Sequence, residues 1–215
     1  MLTLYYSPGA CSLAAHIALE EAGLAFQSKP ISLRKGQQRT PEFLAVNPFG
    51  KVPALVVDGT TLTENPAILS YIADISPAAG LLPAESPLAR GQALSLLAWL
   101  SSAVHVSFGG LFGAAYLIED EAERERYVAK TRATIEKHFS VIDGKLAGRD
   151  WLLGRYSVAD GYAHVFARWA KGFFGFDMAR WPNYAAHMER VAARPAVQRA
   201  LARESEGQAQ LDAAA

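Results

Sequence analysis

The chain has 215 residues, 51% of them hydrophobic, with 21 basic and 21 acidic side chains and no formal net charge. That is ample core for one large domain or two small ones, and no stretch gathers the basic face that nucleic acid requires. A single cysteine, Cys11, excludes an internal disulfide and a cysteine-rich metal site, so no metal is expected and a reducing, cytoplasmic setting is.

The first basic residue is Lys29, so the N-terminus lacks the basic region of a signal peptide. No uninterrupted apolar run approaches the roughly 18 residues of a membrane span, and no membrane partner is expected. Leu2 to Tyr6 reads as a first strand and Ser7-Pro8-Gly9 as a turn. From Ser12 the spacing of Leu13, Ile17, Ala18 and Ala22 predicts a helix ended by Gly23. Phe26 to Ile31 reads as a second strand and Pro41 to Val46 as a short helix. Asn47-Pro48-Phe49-Gly50 is a turn. Ala54 to Val57 and Thr60 to Thr63 form a hairpin about Asp58-Gly59, both residues that tolerate positive φ. Asn65-Pro66 predicts a helix start, with Asn65 at the N-cap and Pro66 at the first helical position.

Proline and glycine crowd the stretch from Ile75 to Pro87, which reads as an interdomain linker, and everything after it is helical. A long amphipathic helix runs from Leu88 to about Phe108, and Gly109, Gly110 and Gly113 are expected to kink or end it. The next helix buries Val128, Thr131, Ile135, Phe139, Ile142 and Leu146 and stops at Gly148. Ser157-Val158-Ala159-Asp160 has the pattern of a capping box opening a further helix, to about Gly172. Two short helices begin near Pro182 and Pro195, and an Ala-rich end, Leu211 to Ala215, is expected to fray. The fold class is therefore α/β plus all-α: an α/β domain over 1–78, a linker over 79–87, an all-helical domain over 88–205 and a tail over 206–215.

Several residues carry chemistry. Cys11 sits between the first strand and the first helix, where backbone N–H groups can lower a thiol pKa to about 3.5–7.5; a buried cysteine can equally be a small hydrophobe. Ala14 stands where a Cys-x-x-Cys pair would need its second thiol, so disulfide exchange would need an external one. His105 lies on the long helix with Ser101 and Ser102 one turn earlier, placed to act on a thiolate or leaving group if it faces the first domain and otherwise structural. His16 reads as packing. A helix start beside Glu64 and Asn65 suits a ligand carrying both an ammonium and a carboxylate, though both residues could simply serve the helix end. A cis bond before Pro53 would turn the N–H and C=O of Val52 outward, free to pair with an extended peptide. Phe166, Trp169, Phe173, Phe174 and Phe176 line either a core or an apolar pocket.

Taken together, Tyr5-Tyr6-Ser7-Pro8-Gly9-Ala10-Cys11-Ser12-Leu13, Asn47-Pro48-x-Gly50-x-Val52-Pro53, Thr63-Glu64, Ser157-Val158-Ala159-Asp160 and Arg194-Pro195 resemble the cytosolic glutathione transferases, most closely the bacterial beta class. The resemblance covers essentially the whole chain. It implies a thioredoxin-like N-terminal domain, a helical-bundle C-terminal domain, a homodimer and glutathione as co-substrate. It implies a cis bond before Pro53, with the Val52 backbone on the cysteinyl part of glutathione, Glu64 and Asn65 at its γ-glutamyl end, and Lys35 near its glycyl carboxylate. Ser102 would add a contact from the helical domain. Cys11 would face the glutathione sulfur and His105 would approach it. Ser157 and Asp160 would be structural. The chain departs from the family pattern at Asn65, where Ser or Gly is common, and at Ala98 and Val106, where Asn and Lys are.

The implied activity is conjugation of glutathione to small apolar electrophiles, a detoxifying chemistry, or thiol exchange through Cys11. The alternative is a non-catalytic binding or regulatory protein that keeps the fold.

Overall fold

The computed structural model describes residues 1–213. The first half holds a four-stranded sheet in the order β2-β1-β3-β4. Strand β1 (Leu2–Tyr6) runs parallel to β2 (Phe26–Pro30) and antiparallel to β3 (Ala54–Val57), which pairs antiparallel with β4 (Thr60–Thr63). The β3–β4 hairpin turns where expected, with Asp58 at φ 47° and Gly59 at φ 88°. Helix α1 (Leu13–Ala22) covers one face and ends at Gly23 with φ 64°, where glycine avoids the Cβ penalty. The short α2 (Pro41–Leu44) is capped by Thr40, whose hydroxyl accepts from the Phe43 N–H, and it packs Phe43 against Tyr5.

Helix α3 spans Asn65–Ile75 and corrects one expectation. The cap position belongs to Glu64, at φ 65° and ψ 124°, and Asn65 is already helical. Proline at the following position suits either register, which is why the sequence signal slipped by one residue.

The helical part starts at α4 (Pro87–Trp99), capped by the Ser86 hydroxyl, which accepts from the Ala89 N–H. It passes through a π-helical turn, Leu100–His105, into α5 (Val106–Leu117). The three glycines do not end it. A Cβ at Gly110 would lie 2.6 Å from the Tyr127 hydroxyl, so this glycine serves close helix–helix approach. The irregularity falls earlier, at the π turn. Contrary to expectation, the run Pro87–Leu117 is also long and apolar enough by length and composition to cross a membrane, although Ser and Gly interrupt it. Here it is a packing helix, with Leu97, Leu100, Val104 and Phe108 fully buried.

Helix α6 (Glu121–Leu146) buries Ile135, Phe139, Ile142 and Leu146, while Val128 and Thr131 are half-buried. Helix α7 (Val158–Phe174) opens on the expected capping box. Asp160 is fully buried and accepts four hydrogen bonds, from Leu152 N–H (2.9 Å), Ser157 N–H (2.8 Å), Ser157 Oγ (2.9 Å) and His187 Nε2 (2.9 Å). It thereby ties the approach to α7 onto α8 (Pro182–Ala192).

Helix α9 (Pro195–Ala213) is not short. It runs along α1 and the β2 edge, and Leu211, expected to fray, is buried. A helix pressed on a sheet edge also protects that edge from other chains. Ala214 and Ala215 of the expected tail lie outside the described residues.

Candidate active site

The loop from β1 to α1 closes on itself. The Ser7 N–H donates to Ser12 Oγ (3.1 Å) and that hydroxyl donates back to the Ser7 carbonyl (3.2 Å). Gly9 sits at φ 76°, a conformation that suits glycine. Cys11 follows, 8% exposed, and its Sγ–H reaches the Val52 carbonyl at 3.3 Å. The Val52–Pro53 peptide is cis. Of the two Val52 groups expected to be free, the carbonyl thus takes the thiol, while no hydrogen bond among the described residues uses the N–H.

The thiol is not acidified, contrary to the expectation for a helix start. Burial pushes Cys11 up to about 12, with Glu64 adding to the rise; its own N–H, Asn65 and Lys51 oppose it. The physical reason is local. Helix α1 begins at Leu13, and its first donors are spent on backbone: Leu13 N–H on the Ala10 carbonyl and Ala14 N–H on that of Cys11, each at 3.2 Å. The sulfur is desolvated without a full set of donors.

Glu64 and Asn65 diverge. Glu64 is exposed, and its positive φ is a strained conformation for a side chain that makes no hydrogen bond among the described residues. Asn65 is buried; its Nδ2–H donates to the Cys11 carbonyl at 3.1 Å, and its Oδ1 is buried without a partner. Lys35 Nζ donates to the Leu211 carbonyl at the end of α9, at 2.9 Å.

His105 ends the π turn and is half-buried. Its Nδ1 lies 3.2 Å from the Tyr162 hydroxyl, and its ring centroid lies 5.3 Å from that of Trp169. Burial, reinforced by Lys51, lowers its pKa to about 4, so the imidazole is neutral near pH 7. Ser102 is exposed on the same turn.

Tyr162 and Lys51 were missed by sequence reading. The buried Tyr162 hydroxyl lies beside Ser101 and Asn65, so it joins the residues around the thiol loop to the histidine; burial drives its pKa up. Its only sequence signal is its place one turn after the Ser157–Asp160 box. Lys51 precedes Val52 and is the cation whose field reaches both Cys11 and His105.

The aromatic series divides. Phe166 and Phe176 are core, and Trp169 is buried with its Nε1–H on the Gly9 carbonyl at 2.8 Å. Phe173 is exposed, and a Cβ added at Gly9 would lie 3.8 Å from its ring. Phe112, not singled out from sequence, adds a wall, with ring centroids 5.3 Å from Trp169 and 5.9 Å from Phe173. His16 packs fully buried between Tyr6 and Phe26, as expected. Among the described residues no group of three or more His, Cys, Asp or Glu could hold a metal ion.

Residues 1–74 match the family described as glutathione S-transferase, N-terminal domain, and residues 107–195 match its C-terminal domain. The chain is 36% identical over 206 residues to glutathione S-transferase GstA of Escherichia coli O157:H7, covering 94% of this chain and 98% of that protein. A sphingomonad glutathione S-transferase solved in complex with glutathione superposes with a TM-score of 0.83 at 44% identity, covering 94% of this chain and 98% of that one. The bacterial beta-class enzyme of Sphingomonas chungbukensis superposes at 0.82 with 40% identity, again over 94% and 98%. The likeness thus extends over both the sheet-bearing and the helical parts of the chain, and this chain belongs to the glutathione S-transferase family.

Proposed function

We propose that the protein is a glutathione transferase: the thiol of glutathione attacks an electrophilic carbon of a small apolar substrate, the new C–S bond replaces the bond to the leaving group, and the thiol proton departs with that group or to a base. The observation that carries this reading is that the N–H of Val52, whose carbonyl holds the Cys11 thiol, and the exposed Glu64 carboxylate are both left without hydrogen-bond partners among the described residues. Val52 would pair with the cysteinyl part of glutathione. Glu64, with Asn65 beside it, would take its ammonium, and Lys35 its glycyl carboxylate if released from Leu211. Ser102 lies open on the opposite wall.

Cys11 stays a thiol in this setting and acts as a donor to the glutathione sulfur, not as the attacking group. That weighs against the thiol-exchange reading. His105 is neutral, and with Nδ1 occupied by Tyr162 its Nε2 is the nitrogen left to accept the glutathione proton. The apolar wall of Phe112, Trp169 and Phe173 would receive the electrophile.

The unit boundaries 1–78 and 88–205, a cytoplasmic setting and a homodimer belong to the same proposal. Exposed Leu88 and Leu94 on α4 supply apolar surface for the dimer.

Calorimetric titration with glutathione, followed by steady-state conjugation of a chromogenic aryl halide, tests the reading. Binding with turnover is expected. Binding without turnover would favour the non-catalytic alternative, and the absence of both would refute the transferase.

A further inference from the structure

The thiol loop is gripped from the helical side at a single residue. Gly9 gives its carbonyl to Trp169 of α7, while its N–H donates to Glu204 Oε2 of α9 at 2.8 Å. Glu204 is 5% exposed, and its other oxygen, Oε1, is buried with no hydrogen-bond partner. A buried carboxyl with one orphan oxygen is costly, and packing alone would be served better by an apolar side chain. The same stretch of α9 anchors the preceding strand: the Tyr6 hydroxyl donates to the Arg203 carbonyl at 3.1 Å, and Gly207 leaves room for its ring.

We propose that Glu204 is a positioning residue for the reaction: as a carboxylate it holds the loop 7–11 through the Gly9 N–H, and so sets where the Cys11 thiol stands relative to the substrates. The proposal rests on the transferase reading above. It adds a residue that touches neither substrate and that is remote in sequence from every cleft motif.

The charged neighbours are few. Arg168 of α7 favours the carboxylate; Arg203 and Glu206 share α9 with it and, like Glu204, act on Tyr6 of β1. From α1, Glu20 is engaged by Arg199 and Arg203. Burial outweighs the Gly9 hydrogen bond and Arg168 and lifts Glu204 from 4.5 to about 7. A hydrogen bond to an ionised acceptor is roughly twice as strong as one to a neutral acceptor, so the loop is held more firmly above pH 7 than below it. Stability runs the other way. A carboxyl whose folded pKa is raised contributes stability that is complete below about 4.5 and is lost as pH rises through about 7. As pH rises toward about 7 the loop is therefore held more firmly while this contribution to global stability falls, opposite trends that a merely structural residue would not produce.

Glu204→Gln keeps the shape and an acceptor oxygen but cannot ionise. In the intact protein the Gly9 amide proton should shift with a midpoint near pH 7, and in E204Q it should not. E204Q should melt with wild type near pH 4.5, gain on it progressively up to about pH 7 and hold a constant lead above that. The ratio of wild-type to E204Q kcat should rise from near one at pH 6 to about threefold to tenfold at pH 8. A Gly9 shift that still titrates in E204Q, a melting difference that is the same at pH 4.5 and pH 8, or a kcat ratio that is the same at pH 6 and pH 8 would each overturn the proposal. The amide and melting readouts need no turnover: an inactive wild type would sink the transferase reading and leave the hold on the loop to be decided by these two alone.

Discussion

Asn65 Nδ2 donates to the main-chain carbonyl of Cys11 at 3.1 Å, so the first residue of α3 is fastened to the loop that carries the thiol. The departure from a smaller residue at this position therefore has a structural use: an amide is long enough to bridge to the loop. Asn65→Ala is expected to lower stability by about 1 kcal/mol, since the Cys11 carbonyl keeps a second donor in Ala14 N–H, and to weaken glutathione binding more than it slows turnover at saturation. Calorimetry alongside a denaturant melt reads both effects.

Cys11 is buried and its pKa stands near 12. At pH 8 the thiolate fraction is then about a thousandfold below that of an ordinary cysteine with a pKa near 9, and alkylation should slow in proportion. Timed iodoacetamide labelling followed by mass spectrometry should find the free protein nearly unmodified after an exposed thiol has fully reacted. Rapid labelling at pH 7 would mean that Cys11 is a nucleophile after all.

Tyr162 is the sole hydrogen-bond partner of His105 among the described residues. Tyr162→Phe leaves the ring packing intact and removes the hydroxyl, freeing the imidazole to turn. A loss of about 5-fold to 100-fold in kcat/KM is expected, from an unmade buried hydrogen bond worth roughly 1–3 kcal/mol, with little change in KM for glutathione. An unchanged kcat would take His105 out of the chemistry.

Acid should unfold the protein through its histidines. Burial lowers His16 and His105 to about 4 and His164 to about 3, with Arg203, Lys51 and Arg168 respectively assisting. Groups whose folded pKa is depressed contribute stability that is present above the unfolded value of 6.5 and lost as pH falls through the folded one. The melting temperature should therefore drop steeply from pH 6.5 to pH 4, and His16→Phe should flatten that slope without touching the cleft.

Gly207→Ala places a methyl 1.9 Å from the Tyr6 hydroxyl, which is itself tied to Arg203. Tyr6 is 1% exposed and cannot swing away. A loss of roughly 1–3 kcal/mol or more is expected from overpacking, read as a shifted urea midpoint, and α9 should exchange its amide protons faster.

What could be read before folding is what neighbouring residues decide among themselves. Asp58-Gly59, Gly23 and the Ser157–Asp160 box act over a few residues, and each appears where the chain chemistry places it. Cys11, Val52, Glu64 and His105 were legible as types in a pattern. Their states were not: the acidity of Cys11 follows from burial and from donors already committed, which no local pattern records. Glu204, Tyr162 and Phe112 reach the cleft from helices far along the chain, so only packing brings them there. The glycines of α5 misled because a glycine that admits a neighbouring helix looks the same in sequence as one that ends its own.

The wide turn at Leu100–His105 spends one residue more than an α-helical turn would. Everything downstream is consequently rotated by about 100° from where an unbroken α-helix would set it. Deleting one residue there would swing Phe108, Leu111 and Phe112 away from their seats together, with composition almost untouched. The phase between the histidine and the aromatic wall is thus written as a miscount in the helix, and point substitutions that retune the pocket operate inside a setting they cannot alter.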